Sequence, residues 1–340
     1  MSRLLLGVLV LLSAGCTRAS ETDARAYLKE QGIDVVKLTK QGDSFRFEGK
    51  KGNEVCEGTV TAVRTLTGSR RLYESSCKRD LSACKPGAAA ECMKIADELY
   101  DKEAKVFPTA AADLYRTACA DGTARACDRV AEYSQIDKKW PEVREFAKKA
   151  CSLGEGDGCE RLGRAELEGQ GGPKDETRAD ALFSEGCNKS SMRACRAVAG
   201  RMLDKTPPDA KGALPISDRL CAAKYQDGCT LLGIALYYGK KDYPRAAELL
   251  EAGCKDDKAK IQGYACNMAG VIHAEGMGMK KEPERGLPLF EAACTVGSSQ
   301  GCDNAGLFYA RGRGAPRDPA KSKEYYAKAC TLGQKTACGK

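Results

Sequence analysis

The chain has 340 residues, enough for two domains or for one elongated array of repeats. Its apolar content is ordinary at 42%, aromatic residues make up only 6%, and the formal net charge is +8. Alanine and leucine supply much of the apolar content, and glycine is abundant, which favours closely packed helices over a sheet-rich core. The positive charge is thinly spread and is not interleaved with aromatic residues, which argues against a nucleic-acid partner.

The first 15 residues have the pattern of a secretory signal. Arg3 gives a basic start, and residues 4–12 form an apolar run that is too short to span a bilayer. Small residues follow, and they end immediately before Cys16. We therefore predict a signal peptide over residues 1–15 that is removed on export.

Ser13-Ala14-Gly15-Cys16 resembles the lipobox of bacterial lipoproteins. The resemblance implies that Cys16 becomes the mature N-terminus, carries acyl chains such as palmitate and anchors the protein to a membrane, with residues 16–21 as a linker. Thr17, rather than an aspartate, follows the cysteine, which favours the outer membrane with the protein facing the periplasm or the cell surface. An ordinary cleaved signal with a free cysteine is the alternative.

Residues 22–78 have the pattern of a small α+β domain. A short helix is predicted over residues 23–31. Alternating apolar and polar residues then predict strands over residues 33–40, 44–49, 54–63 and 70–77. Turn signals separate these strands, so we predict a helix followed by a four-stranded meander. We expect this domain to act as a spacer, and binding of a small ligand is the alternative.

The cysteines reveal a repeat. There are 19 of them, and 18 remain when the lipidation candidate Cys16 is set aside. Sixteen fall into pairs eight residues apart, or twelve apart in one pair, and the first members recur every 32 to 40 residues. The pairs are Cys84–Cys92, Cys119–Cys127, Cys151–Cys159, Cys187–Cys195, Cys221–Cys229, Cys254–Cys266, Cys294–Cys302 and Cys330–Cys338. This period, with a helical pattern inside it, predicts a mostly α fold, a solenoid of helix pairs over residues 79–340.

Behind a secretory signal, so many cysteines indicate disulfides. Sequence alone does not fix their connectivity, but each unit brings its own two cysteines, so we predict local pairing in every repeat. Cys56 and Cys77 are left over and are predicted to bridge the last two strands. A metal site is the alternative. It is disfavoured because there is no C-x-x-C motif and His273 is the single histidine, so we predict no metal and no cofactor.

Each repeat has the same internal pattern, counted here as offsets from the second cysteine of its pair. Apolar residues recur at offsets three, four, seven and eight, which predicts a first helix. A second helix follows after a loop and often opens with proline. Glycines at offset ten are predicted to end the first helix, and these are Gly169, Gly239, Gly276 and Gly312. Mid-helix glycines at offset four are predicted to be close-packing positions, and these are Gly163, Gly233, Gly270 and Gly306.

The loops carry a second motif, G-x-G-x-x-x-D/E, over residues 169–175, 276–282 and 312–318. In this the chain resembles the Sel1-like repeat, a relative of the tetratricopeptide repeat. The cysteine pair at every junction resembles, more specifically, the secreted Helicobacter cysteine-rich proteins. The resemblance covers residues 84–338. It weakens at residues 206–215, where the loop between helices is irregular, and at the four-residue insertion between Cys254 and Cys266.

The resemblance implies that the first helices line a concave binding face. The polar members of the offset-seven column, Glu166, His273 and Tyr309, are the candidate contact positions. We therefore predict an extracytoplasmic, lipid-anchored scaffold in the bacterial envelope. Its partner would be another envelope protein or a peptidoglycan fragment.

Evidence for catalysis is thin, and we predict no catalytic residue. Two S-x-x-K motifs, at residues 75–78 and 82–85, each contain a cysteine that is assigned to a disulfide, and a K-T-G box is missing. His273 lies in an apolar column, which argues against a Ser-His-Asp arrangement. The Helicobacter relatives nevertheless imply an alternative, penicillin binding with weak β-lactamase activity.

Overall fold

The computed structural model describes residues 21–42, 44–52, 54–65, 68–79, 81–102, 109–239, 242–256 and 261–340. The chain divides into two compact units, with the boundary between Glu91 and Cys92. The first unit contains one helix and a small sheet. The second contains the helical array.

The first unit is the predicted helix followed by a four-stranded meander. Its elements are α1 (Glu21–Glu30), β1 (Asp34–Gln41), β2 (Ser44–Lys51), β3 (Glu54–Thr65) and β4 (Gly68–Arg79). All neighbouring strands are antiparallel, in the order β1-β2-β3-β4. This agrees with the predicted fold class.

Alternation along β2 builds the core of this unit. Phe45 and Phe47 point to the same face of the sheet, where they are buried together with Ile33 and with Leu28 of α1. The register of β3 and β4 sets Cys56 opposite Cys77. Cys56 is disulfide-bonded, and its pairing with Cys77 stays a prediction.

The second unit is a solenoid of helix pairs. The first helices are α2 (Ala89–Lys102), α4 (Ala124–Ile136), α6 (Gly156–Glu168), α8 (Met192–Leu203), α10 (Gly228–Gly239), α12 (Gln262–Glu275) and α14 (Ser299–Arg311). The second helices are α3 (Thr109–Ala120), α5 (Trp140–Ser152), α7 (Glu176–Asn188), α9 (Ala210–Ala222), α11 (Tyr243–Lys255), α13 (Pro283–Thr295) and α15 (Pro319–Thr331). A 3₁₀ turn, Lys335–Ala337, follows α15.

Successive first helices contact one another at every step from α4 to α14. Among the described second helices, comparable contacts join only α11 to α13 and α13 to α15. The first helices are therefore the more closely spaced layer, and they line the inner side of the array.

Seven disulfides are described in the array. Six join the end of one second helix to the start of the next first helix: Cys119–Cys127, Cys151–Cys159, Cys187–Cys195, Cys221–Cys229, Cys254–Cys266 and Cys294–Cys302. The seventh, Cys330–Cys338, joins the end of α15 to the residue after the 3₁₀ turn. Cys84 and Cys92 are also disulfide-bonded. The local pairing expected from the repeat thus holds at these seven junctions.

The two glycines of each G-x-G loop have different tasks. Gly169, the first, ends α6 in the left-handed conformation at φ 68°, and Gly276 and Gly312 do the same for α12 and α14. The second glycine also has a positive φ and lies against the start of the preceding second helix. A Cβ on Gly171 would lie 2.7 Å from the Trp140 backbone, so no larger residue fits.

The mid-helix glycines are packing positions, as predicted. In each, a bulky side chain of the second helix lies 2.7 to 2.9 Å from the point that a Cβ would occupy. The pairs are Gly163 with Phe183, Gly233 with Leu250, Gly270 with Phe290, and Gly306 with Tyr326. Glycine is unfavourable inside a helix, but at these positions it allows the two helices to pack closely.

The predicted irregular stretch is shorter than expected. Helix α9 already begins at Ala210 and continues through Pro215, so the loop that precedes it ends at Asp209. The Thr206–Pro207 peptide bond in this loop is cis. At the other irregular point, residues 257–260 of the Cys254–Cys266 insertion lie outside the described residues.

Candidate functional site

The predicted contact residues are not on an open face. Glu166, His273 and Tyr309 are only 3%, 1% and 6% exposed, so their assignment as surface contact positions is corrected. The reason is the helical period. Offset seven shares a face with offsets three, four and eight, and this face packs against the second helices.

Each of these buried polar groups binds a residue of the preceding second helix. The hydrogen bonds are Glu166 with Arg144 at 2.9 Å, His273 Nε2 with Glu251 Oε1 at 2.5 Å, and Tyr309 Oη donating to Glu291 at 2.7 Å. They join one repeat to the next. The offset-seven column is therefore part of the internal packing of the solenoid.

Arg144 forms hydrogen bonds to several groups of the next repeat. Its Nε donates to the Gln170 carbonyl at 2.7 Å, Nη1 donates to Glu166 at 2.9 Å, and Nη2 donates to the Pro173 carbonyl at 3.1 Å. The guanidinium of one repeat thus holds the G-x-G loop of the next. Glu166 also forms an ion pair with Arg178 at 3.4 Å.

The inner face consists instead of offsets one, two, five and nine, on a different side of each first helix. On much of this face, successive first helices are joined by polar pairs. Arg161 on α6 donates to Asp128 on α4 at 3.0 Å, and Asn304 on α14 donates to Asn267 on α12 at 2.8 Å. These pairs occupy the polar groups of the inner face and leave few free for a ligand.

Between α8, α10 and α12 the inner face opens into a cleft of about 570 Å³. The loop over residues 204–208 forms one rim, and Ile261 and Tyr264 form the other. These are the two places where the repeat pattern is irregular. The size falls within the roughly 300–1,000 Å³ that ligand pockets occupy, so we regard the cleft as the candidate functional site.

One end of the cleft is polar and internally neutralised. Arg196 on α8 donates from Nε and Nη2 to the two carboxylate oxygens of Asp227, both at 2.6 Å. Asp227 is buried, and its hydrogen bonds raise the pKa of Arg196 above the ordinary value for arginine. A two-point pair of this kind fixes the plane of the guanidinium.

The other end carries two tyrosines. The hydroxyls of Tyr238 on α10 and Tyr264 on α12 share a short hydrogen bond. Burial, together with this bond, raises the pKa of Tyr264 above its ordinary value. The Tyr264 phenol therefore stays protonated and neutral at physiological pH.

The floor between these ends is apolar. Leu203, Leu231 and Ile234 supply it, and all three are largely buried. Gly200 of α8 also lines the cleft. An apolar floor with a few polar groups at its ends is the usual construction of a binding site.

The S-x-x-K motifs gain no support. Residues 75–78 lie in β4 and residues 82–85 precede α2, so neither segment is helical. The described residues contain one group with metal-ligand spacing, Cys151, Cys159 and Glu185, and its two sulfurs belong to a disulfide.

The lipidation candidate Cys16 lies outside the described residues. Among the described helices, none has the length and apolar character needed to cross a bilayer.

The family model of the Sel1 repeat matches the chain at residues 156–191, 226–257, 263–298 and 299–334. Among solved structures, the chain is similar to a protective antigen of uropathogenic Escherichia coli with an SLR fold, at 20% identity and TM-score 0.57, over 74% of this chain. The match covers 55% of the antigen, so the chain spans little more than half of its length. No curated protein matches the sequence.

Two further solved structures are similar over parts of the chain. A Sel1 repeat protein from Oxalobacter formigenes is 17% identical at TM-score 0.43, covering 75% of this chain and 86% of its own. Cysteine rich protein B of Helicobacter pylori is 22% identical at TM-score 0.31, covering 40% of this chain and 97% of its own.

Stacked helix pairs that contact only their neighbours define a helical repeat protein. The four matched segments are Sel1 repeats, and the helix pairs between and before them continue the same disulfide-linked solenoid.

The residues of the cleft were not among those predicted from the sequence. Four of them belong to two adjacent repeats. In α8 they are Arg196 at offset one and Gly200 at offset five, and in α10 they are Ile234 at offset five and Tyr238 at offset nine. These offsets lie on a different side of the helix from the apolar stripe, so the stripe itself could have identified the inner face. The two irregular stretches were a second signal, because both lie beside the same inner surface.

Proposed function

We propose that this protein is an extracytoplasmic scaffold that binds a partner protein in the cleft between α8, α10 and α12. Sel1-repeat proteins are generally protein-interaction scaffolds. The observation that supports the cleft is its lining: Leu203, Leu231 and Ile234 form a largely buried apolar floor, and the partly exposed Gly200 lines the same cavity of about 570 Å³. A peptidoglycan fragment is the alternative ligand.

The disulfides indicate an oxidising, extracytoplasmic compartment. We further propose that acyl chains on Cys16 hold the protein at the bacterial outer membrane, facing the periplasm or the cell surface. Anchoring of this kind would keep the binding face near other envelope proteins.

Site-specific photo-cross-linking in intact cells tests the scaffold function. The first variant is Asp204→p-benzoylphenylalanine, at the exposed rim of the cleft. The matched control is Lys148→p-benzoylphenylalanine, on the exposed side of second helix α5. We expect the Asp204 variant alone to give a discrete adduct, and mass spectrometry identifies its protein component.

The same adducts from both variants, or none from the rim variant, would reject the inner face as the binding surface. An adduct that carries peptidoglycan in place of protein would support the alternative ligand.

A further inference from the structure

Gly200 is a mid-helix glycine of α8 that stands at offset five, one position later than the close-packing glycines at offset four, so it lies on another face of its helix. At the four close-packing glycines, a second-helix side chain occupies the space that a Cβ would need; these are Gly163, Gly233, Gly270 and Gly306. The point that a Cβ on Gly200 would occupy has no neighbour within 4 Å. A glycine inside a helix is less favourable than alanine. Here no contact within the described residues compensates for that difference.

The missing side chain makes a notch in the floor of the cleft. Gly200 stands at offset five of α8, where α10 and α12 have Ile234 and Val271. Leu203, Leu231 and Ile234 line the same cleft. A group that fills the space at Gly200 therefore lies in a cleft whose lining includes aliphatic side chains.

The charges around the cleft cancel. Arg196 is paired with Asp227, and on the rim the exposed Asp204 and Lys205 carry opposite charges. Charged partners are favoured where potentials are complementary. A balanced lining therefore fits an uncharged segment better than an acidic or a basic one.

The length of the floor fits a short stretch of extended chain. Offsets one and nine are eight helical residues apart, or about 12 Å along the axis. Three or four extended residues, at roughly 3.3 Å each, span that distance. Arg196 Nη1, which makes no hydrogen bond within the described residues, and the tyrosine hydroxyls stand at the two ends to bind backbone groups.

We propose that the cleft binds an extended, uncharged peptide segment of a partner protein, with one bulky apolar side chain filling the notch at Gly200. This inference rests on the proposed scaffold function, because it names the partner chemistry of the same cleft. Gly200 then acts as the specificity-determining position, since its missing side chain admits the anchor.

Peptide display tests the proposal with probes of defined chemistry. A phage library of random linear peptides is selected on the full chain, and the enriched peptides are synthesised for binding measurements. We expect them to share one Leu, Ile, Phe, Met or Trp flanked by uncharged residues. In Gly200→Phe the affinity should fall about tenfold to a hundredfold, because the anchor is excluded from apolar surroundings.

Two variants make this loss specific. Gly200→Ala, which leaves most of the notch open, should bind with a smaller loss than Gly200→Phe. Leu307→Phe adds a ring at the same offset of α14, away from the cleft, and should bind as the wild type does. Thermal unfolding of each variant checks that it is folded.

The inference is overturned if the enriched peptides are charged, if they lack a common apolar residue, if none is enriched, or if Gly200→Phe binds them unchanged. Cross-linking at Asp204 in cells, together with unchanged binding by Gly200→Phe, would leave the scaffold function standing and reject the notch. Notch-dependent peptides without any adduct in cells would reject the scaffold function and retain the notch.

Discussion

At the scale of single residues, a polar side chain in an apolar column can belong to the packing of the repeat. Glu166 is a carboxylate at a packing position, and it is tolerated there because Arg144 and Arg178 neutralise it. Charged residues are buried only when they are paired and hydrogen-bonded. Sequence showed the column but not the partners: Arg144 lies 22 residues away on α5, and Arg178 lies on α7.

Arg144→Ala should be strongly destabilising. It leaves the buried Glu166 without its closest cation and removes the donors that hold the carbonyls of Gln170 and Pro173. Breaking a buried pair costs about 3–5 kcal/mol. We expect Arg144→Lys to recover little of the loss, because one ammonium cannot replace a planar donor fork.

Urea unfolding followed by circular dichroism measures this effect. Lys148→Ala, at an exposed position of the same helix, is the control and should change the midpoint little. An Arg144→Lys variant as stable as the wild type would show that charge alone, not the fork of hydrogen bonds, holds the loop.

At the scale of elements, the repeat could be predicted because its signals are local. The glycines that end helices and the prolines that begin them lie within one helix pair, and each cysteine spacing spans only the short junction to the next pair. The helices begin and end close to these signals. The cleft depends on contacts between residues 26 to 31 positions apart, such as Tyr238 with Tyr264 and Arg196 with Asp227. The spacing of one helix face does not fix which side chains meet across repeats.

The turn after each second helix is a further element-scale feature. Four junctions have glycine in the left-handed conformation three residues after the first cysteine: Gly122, Gly154, Gly297 and Gly333. In two consecutive junctions the same position is Ser190, at φ 66°, or Lys224, at φ 51°. Left-handed backbone is unfavourable for residues that have a Cβ.

Ser190→Gly should therefore stabilise the solenoid by about 1 kcal/mol. The reciprocal variant, Gly297→Ser, should destabilise it by about 1–2 kcal/mol. A Cβ on Gly297 has no neighbour within 4 Å, so the loss of stability in Gly297→Ser reports the cost of the left-handed backbone alone. Urea midpoints of both variants provide the measurement, and shifts of the same sign would contradict this account of the junction.

At the scale of the whole molecule, stability is distributed along the array. Each helix pair packs on its neighbours, so a solenoid can open at any junction. Closing a nine-residue ring contributes about 2.5 kcal/mol by chain entropy. Disulfides at successive junctions oppose opening where neighbour contacts alone would have to resist it, and this suits the proposed extracytoplasmic scaffold.

The position of a removed disulfide should decide how far the damage spreads. Cys221→Ser/Cys229→Ser cuts the link between α9 and α10, inside the array, whereas Cys330→Ser/Cys338→Ser cuts the last one. Because α10 supplies part of the cleft floor, the internal variant should expose amides in α9 and α10 to hydrogen exchange and weaken binding in the cleft. The terminal variant should affect only α15 and the 3₁₀ turn. Hydrogen exchange with mass spectrometry distinguishes the two, and equal protection of α10 in both variants would mean that packing alone holds the internal junction.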